Sequence, residues 1–177
     1  MNETLKKLFE ANEKYAETGE YSGDVSAKRR AETAAGQKPR AVVVTCSDSR
    51  VIPEAVFSAG IGEIFTVRTA GNVIGESELG SVEYAVRHLH AGTVVVLGHT
   101  HCGAVHAALC GETGGFAGAI TRRIKETIGE ETDPRRACEL NVRRGVETLK
   151  AALGGDGIAV IGAIYDIETG KAAPTEA

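Results

Sequence analysis

The sequence predicts an α/β fold, a mainly parallel central β-sheet flanked by helices. Two observations lead to it. The runs AVVVTC (41–46) and TVVVLGH (93–99) are rich in β-branched residues and do not alternate with polar ones, the pattern of strands covered on both faces. Between and after them apolar residues recur at helical spacing, as in Val82, Ala85, Val86 and Leu89. Doubly covered strands that alternate with amphipathic helices build a parallel sheet.

The elements follow in order. Residues 3–16 place Leu5, Leu8, Phe9 and Ala16 on one helical face, and a second short helix is predicted over 25–35. GQKPR (36–40) ends it, because Pro39 disfavours helical backbone in the residue before it. The first strand then runs to Cys46, EIFTVR (63–68) is the second, and LGSVEYAVRHLH (79–90) is the helix before the third. GAVHAALC (103–110) continues as helix, and FAGAITRRIKETIG (116–129) carries Phe116, Ile120, Ile124 and Ile128 four residues apart. A long helix over 133–153 opens with Asp133 as N-cap and Pro134 at its first position, and Gly154-Gly155 closes it. GIAVIGAIYD (157–166) is the last strand. The Gly-rich stretch 111–118 reads as a mobile loop and the tail 170–177 as frayed. With no repeat and no linker, 1–177 is expected to be a single domain: a helical arm over 1–35, a core over 36–170 and a tail over 171–177.

Composition excludes some functions. The 177 residues suffice for one sizeable core. A net charge of −4, aromatics at 5% and no Trp leave neither a basic footprint nor stacking platforms for nucleic acid. The pairs Arg29-Arg30, Arg122-Arg123, Arg135-Arg136 and Arg143-Arg144 stand among acids on predicted helices and read as solvated faces. No apolar run approaches ~20 residues and the first residues lack a signal-peptide core, so no membrane partner and a cytoplasmic location are expected. Four cysteines then read as thiols or metal ligands before disulfides. No phosphate-binding loop, dinucleotide fingerprint or nucleophile elbow is present.

In open α/β sheets, ligand groups gather beyond the carboxyl ends of the strands. Cys46 closes one strand and His99 another, and Cys102 follows three residues later in GHTHCG (98–103). A single buried cysteine is usually core filling, but two strand ends can deliver a Cys, a His and a second Cys to one point. Such a set lacks a fourth protein ligand, as catalytic zinc sites do. In TCSDSR (45–50), Asp48 and Arg50 follow Cys46 at two-residue steps.

CSDSRVIPE (46–54), VRTAGNV (67–73), GSVEYAVRHL (80–89), VVVLGHTHCGAV (94–105) and IGAIYDIETG (161–170) together resemble a β-class carbonic anhydrase, in order from about Gln37 to Gly170. The resemblance implies reversible hydration of CO2 to bicarbonate by hydroxide on zinc, with one Zn2+ per chain bound by Cys46, His99 and Cys102. It implies an acid–guanidinium dyad of Asp48 and Arg50, and substrate contacts from Gln37 and Gly103. His101 or His106, as imidazoles, could carry the proton, but a solvated loop histidine is the better reading of each. Some members hold an allosteric bicarbonate with a Trp shortly before the first Cys; Val43 occupies that region here, which implies the open-site kind without that lock. The resemblance also implies a homodimer or an assembly of dimers, with residues 1–35 reaching across to the partner. Two rivals share the residues: a hydrolase of carbonyl sulfide or carbon disulfide on the same scaffold, and a non-catalytic zinc-binding or redox-sensing protein. Cys110 and Cys138 are expected to be plain thiols, and Tyr165 a core residue.

Overall fold

The computed structural model describes residues 2–154 and 157–175. The order of elements is α1 (Glu3–Thr18), α2 (Ala27–Thr33), β1 (Ala41–Thr45), α3 (Pro53–Val56), β2 (Ile64–Arg68), a 3-10 turn (Ala70–Asn72), α4 (Glu76–Arg87), β3 (Thr93–His99), α5 (Gly103–Leu109), α6 (Gly118–Ile128), α7 (Pro134–Leu153), β4 (Ala159–Tyr165) and β5 (Ala172–Pro174). The sheet order is β2-β1-β3-β4-β5, with the first four strands parallel and β5 antiparallel to β4.

The β-branched runs form strands for the reason their pattern gives. Every residue of β1 and β3 is buried. Side chains alternate between faces, so Val42, Val44, Val94 and Val96 join one core, to which α4, α6 and α7 contribute Val82, Ile124, Val142 and Leu149. Ala41, Val43, Val95 and Leu97 join a second core with Leu5 and Leu8 of α1 and with Phe57. Helix α7 starts as its sequence predicts: Asp133 accepts a hydrogen bond from the Arg136 amide at 2.7 Å, and Gly154 ends it in the left-handed region. Gly155 lies outside the described residues. No described helix is long and apolar enough to cross a membrane.

Three expectations change. Phe116 does not share the face of Ile120, Ile124 and Ile128: α6 begins at Gly118, and Phe116 is fully exposed in the turn before it. Helix α1 packs on its own sheet, because Leu5 and Leu8 fill the second core; α2, by contrast, buries no residue. The tail is not frayed over 172–174, where β5 pairs with β4.

The cause of that last change is Asn12, which is 1% exposed. Its amide donates to the carbonyls of Val56 and Gly170 at 3.1 and 2.9 Å, and its Oδ1 accepts from the Ala172 amide at 2.7 Å. A buried amide must find partners, and here the partners are the incoming end of β5. The Asp166 turn presents them: the Asp166 amide donates to Lys171, and Gly170 donates back to the Asp166 carbonyl. Asn12→Ala should cost about 2–3 kcal/mol in urea unfolding and should unprotect the Ala172 amide in hydrogen exchange. A loss too small to measure would show that β5 holds without this tie.

Candidate metal centre

Parallel strands β1 and β3 are neighbours, with Thr45 opposite Leu97. Their carboxyl ends therefore deliver Cys46 and His99 side by side. The Thr45 hydroxyl, buried between them, donates to the Leu97 carbonyl at 2.8 Å and ties the two ends together. The chain leaves β3 through Thr100 and His101 and re-enters at Cys102, the N-cap of α5. Cys46, His99 and Cys102 are 4%, 1% and 4% exposed, and their ligating atoms lie within 4.8 Å of one another.

The imidazole is set for a ligand. His99 Nδ1 lies 2.8 Å from the Thr100 carbonyl, a contact that places the ring proton on Nδ1 and the lone pair on Nε2. Nε2 is buried and has no hydrogen-bond partner among the described residues. Such an orphan is costly unless something else fills it. A metal held by two thiolates and this nitrogen satisfies all three atoms, and the Nδ1 contact is the outer-shell support usual for ligating histidines. The residues present thus fit zinc.

The sulfurs are tuned by their neighbours. The adjacent Cys102 thiol, then His99 and the amides of Asp48 and Gly71, pull the Cys46 thiol down, against the effect of burial. Cys102 moves the other way, pushed up by Cys46 and by burial. Cys46 Sγ accepts from the Gly71 amide at 3.1 Å and the Asp48 amide at 3.4 Å, two dipoles that favour its thiolate. Gly71 can donate because its φ is 63°, a conformation that favours glycine. Asn141 on α7 fixes the same peptide by donating to the Gly71 carbonyl at 2.7 Å.

Asp48 and Arg50 form the dyad their spacing suggests. Arg50 Nε reaches Asp48 Oδ1 at 2.9 Å and Nη2 reaches Oδ2 at 2.7 Å, while the Arg50 amide also donates to Oδ1 at 2.9 Å. This fork holds the carboxyl well below the usual carboxylate range. Oδ2 also lies 3.9 Å from His99 Nε2, so the acid stands beside the three donors but is bonded to the guanidinium.

Other expected residues fall in different places. Gly103 opens α5 next to Cys102, and a Cβ there would meet, among the described residues, no atom within 4 Å apart from its chain neighbours and its own helix backbone. Gln37 is exposed and precedes β1, at the end of the strand opposite Cys46. His101 is exposed, with Nε2 3.4 Å from Glu168, and Arg50 donates to its carbonyl. His106 is exposed and lies 3.7 Å from the Cys110 sulfur. Cys138 is buried, its thiol pushed up to about 11 by burial. Tyr165 packs in the second core. A cavity of about 640 Å³ between α6 and α7 reaches Asn72 but none of the three donors. The resemblance implies an AGN turn in which Gly71 takes an unusual backbone angle, as its φ of 63° shows; the sequence reading missed the bond from its amide, Asn141, and Arg68, whose side chain bonds three carbonyls of the segment from Cys46 to Val51.

Comparison with known proteins agrees with this geometry. The sequence model of the family described as Carbonic anhydrase matches residues 41–172. Carbonic anhydrase 2 of Mycobacterium tuberculosis is 37% identical over 94% of this chain and 89% of its own. Among solved structures, the β-carbonic anhydrase CafA of Aspergillus fumigatus superposes with a TM-score of 0.75 at 29% identity, covering 97% of this chain and 88% of its own. The Coccomyxa β-carbonic anhydrase gives 0.74 at 27% identity, over 98% of this chain and 86% of its own. A doubly covered parallel sheet with a Cys-His-Cys donor set at its carboxyl edge thus defines the class of protein. The chain belongs to the carbonic anhydrase family, in its β class.

Gly71→Ala tests the support of the centre. A Cβ at Gly71 would lie 2.8 Å from Ile124 Cδ1 and 3.0 Å from Ala104 Cβ, on top of the strained φ. The variant should lose roughly 2–4 kcal/mol in chemical unfolding; stability equal to the parent would show that the turn has room to shift.

Proposed function

We propose that this chain is a zinc enzyme that hydrates CO2 reversibly to bicarbonate and a proton, with one Zn2+ per chain on Cys46, His99 and Cys102. The observation that carries this reading is the orphaned His99 Nε2, buried among two thiols and faced by a carboxylate already neutralised by Arg50. Zinc bound there supplies Lewis acidity, which makes water a nucleophile near neutral pH. The chain's own residues do the rest. Asp48 stays ionised and fixed in the Arg50 fork, and so can accept a hydrogen bond from water beside the donors and aim it at CO2. Arg50 is itself steadied by the His101 carbonyl. The open space above Gly103 gives a small linear substrate room beside Cys102.

Both Asp48 oxygens are engaged by Arg50, which supports an open resting site in which Asp48 is held off the three donors. Buried Val43, packed in the second core where an allosteric Trp would need space, supports the absence of that lock. Four free cysteines suit a reducing, cytoplasmic setting.

Stopped-flow CO2 hydration by the zinc-loaded protein tests the proposal. Rapid hydration is expected at both pH 7 and pH 8.5. Cys46→Ala and His99→Ala should lose both zinc and activity. Asp48→Ala and Arg50→Ala should keep zinc and lose roughly 10–100-fold in turnover. Inactivity with zinc in place, or full activity in Cys46→Ala, sinks the reading; turnover of carbonyl sulfide without CO2 hydration reassigns the substrate.

The same reading makes the working unit a homodimer. Among the described residues strand β2 is an unpaired edge, flanked by the half-exposed Tyr84 against Phe65, and such edges call for cover. Helix α2, which buries nothing in its own chain, is the arm available to a partner. Gln37, at the wrong end of β1 for its own site, can contact substrate only in a partner's site. Sedimentation should therefore give a dimer or a multiple of it. Gln37→Ala should raise KM several-fold with zinc and assembly unchanged; a monomer of full activity contradicts this.

A further inference from the structure

The segment that carries Cys46, Asp48 and Arg50 has little regular structure of its own. It leaves β1 at Cys46 and reaches α3 only at Pro53. Within it the Val51 amide donates to the Asp48 carbonyl at 3.0 Å, and the Ser47 amide reaches the Thr69 carbonyl at 3.3 Å. The amides of Asp48 and Arg50 bond Cys46 Sγ and Asp48 Oδ1 within the segment, and one side chain on the neighbouring strand binds three of its carbonyls. Arg68, the last residue of β2, stands opposite Thr45 in the register. Its Nε donates to the Cys46 carbonyl at 3.1 Å, and its Nη2 donates to the carbonyls of Asp48 and Val51 at 2.8 and 2.9 Å. One planar guanidinium therefore spans the segment at the metal-ligand residue, at the dyad acid and just before the next helix.

We infer that Arg68 is a positioning residue for the reaction: a backbone clamp that holds the Asp48–Arg50 dyad in register with the three metal donors. Two arguments carry it. The first is geometric. Spanning three carbonyls needs a rigid fork of donors, which Arg has and Lys lacks. The second is electrostatic. No carboxylate forms an ion pair with Arg68 among the described residues, so its donors go to the segment's carbonyl dipoles rather than to an acid. The arrangement is layered: Arg50 fixes the Asp48 side chain, and Arg68 fixes the Asp48 main chain. A carboxylate held at both ends cannot swing about its own backbone, and its distance to His99 Nε2 is set by β2 rather than by the loop.

The activity arm of the test rests on the function proposed above; the exchange arm does not. Arg68→Gln and Arg68→Lys are compared with the parent by zinc content, CO2 hydration kinetics and amide hydrogen exchange across 46–52. Both variants should retain zinc and lose roughly 10–100-fold in kcat with KM little changed, because the dyad is misplaced while the donors and the substrate space remain. Exchange should accelerate in 47–51 while the β1 and β3 amides stay protected. Lys should not rescue Gln, since a single ammonium cannot bridge the three acceptors. Parent-like activity in Arg68→Gln overturns the inference. So does full rescue by Lys, which would reduce the role to charge, and so does a loss of activity with unchanged exchange in 47–51. Should Arg68→Gln fail to fold, Arg68→Lys alone decides by the same two readouts. If the parent itself hydrates no CO2, the functional proposal falls while the exchange comparison still judges the clamp.

Discussion

The centre depends on the parallel pairing of β1 with β3. Because both strands run the same way in adjacent positions, their carboxyl ends open at one edge of the sheet, and a cysteine and a histidine 53 residues apart in sequence become neighbours. An antiparallel pairing would place them at opposite edges. Burial on both faces fixes the register, since a one-residue slip would exchange the two valine sets between cores. The Thr45 hydroxyl adds a local tie just beneath the donors. The placement of the ligands is thus a product of core packing, and only the chemistry of the last residue in each strand is left free to vary.

Around that point the charges are arranged in complementary pairs. Two thiols and an imidazole gather where a cation would be stabilised, and a guanidinium keeps the nearby carboxylate from being drawn fully to the same place. The Gly71 amide and the Asp48 amide reinforce one sulfur with dipoles rather than charges. Each of these groups is oriented by another that touches no reactant: Gly71 by Asn141, Arg50 by the His101 carbonyl, His99 by the Thr100 carbonyl. Such outer support lets a small site keep its geometry without a large rigid pocket.

Much of this was legible in the sequence because it is local. The unalternating valines declare doubly covered strands, Asp133-Pro134 declares a helix start, and Cys46, His99 and Cys102 declare a donor set by falling at or just beyond the ends of two strands. What was not legible depends on contacts made at long range. Strand β5 is three residues long and has no strand pattern of its own; it exists because a buried asparagine 160 residues earlier needs a partner. Arg68 reads as an ordinary strand-end arginine until β2 is set beside β1. Phe116 has helical spacing to Ile120, yet the helix starts only after it. Gln37 is given a substrate contact by the resemblance alone, whereas strand direction carries it to the far end of the sheet.

The Asn12 tie also orders events in time. Helix α1 is complete within the first 18 residues, but the groups its buried amide must meet are Gly170 and Ala172. On a ribosome that issues the chain from the amino end, α1 can form early, yet its hydrogen-bond seat stays open until nearly the whole polypeptide has emerged. The first helix and the last strand thus close the fold together, and a chain released short of its final turn would leave an amide in the second core with one backbone partner where the finished protein has three.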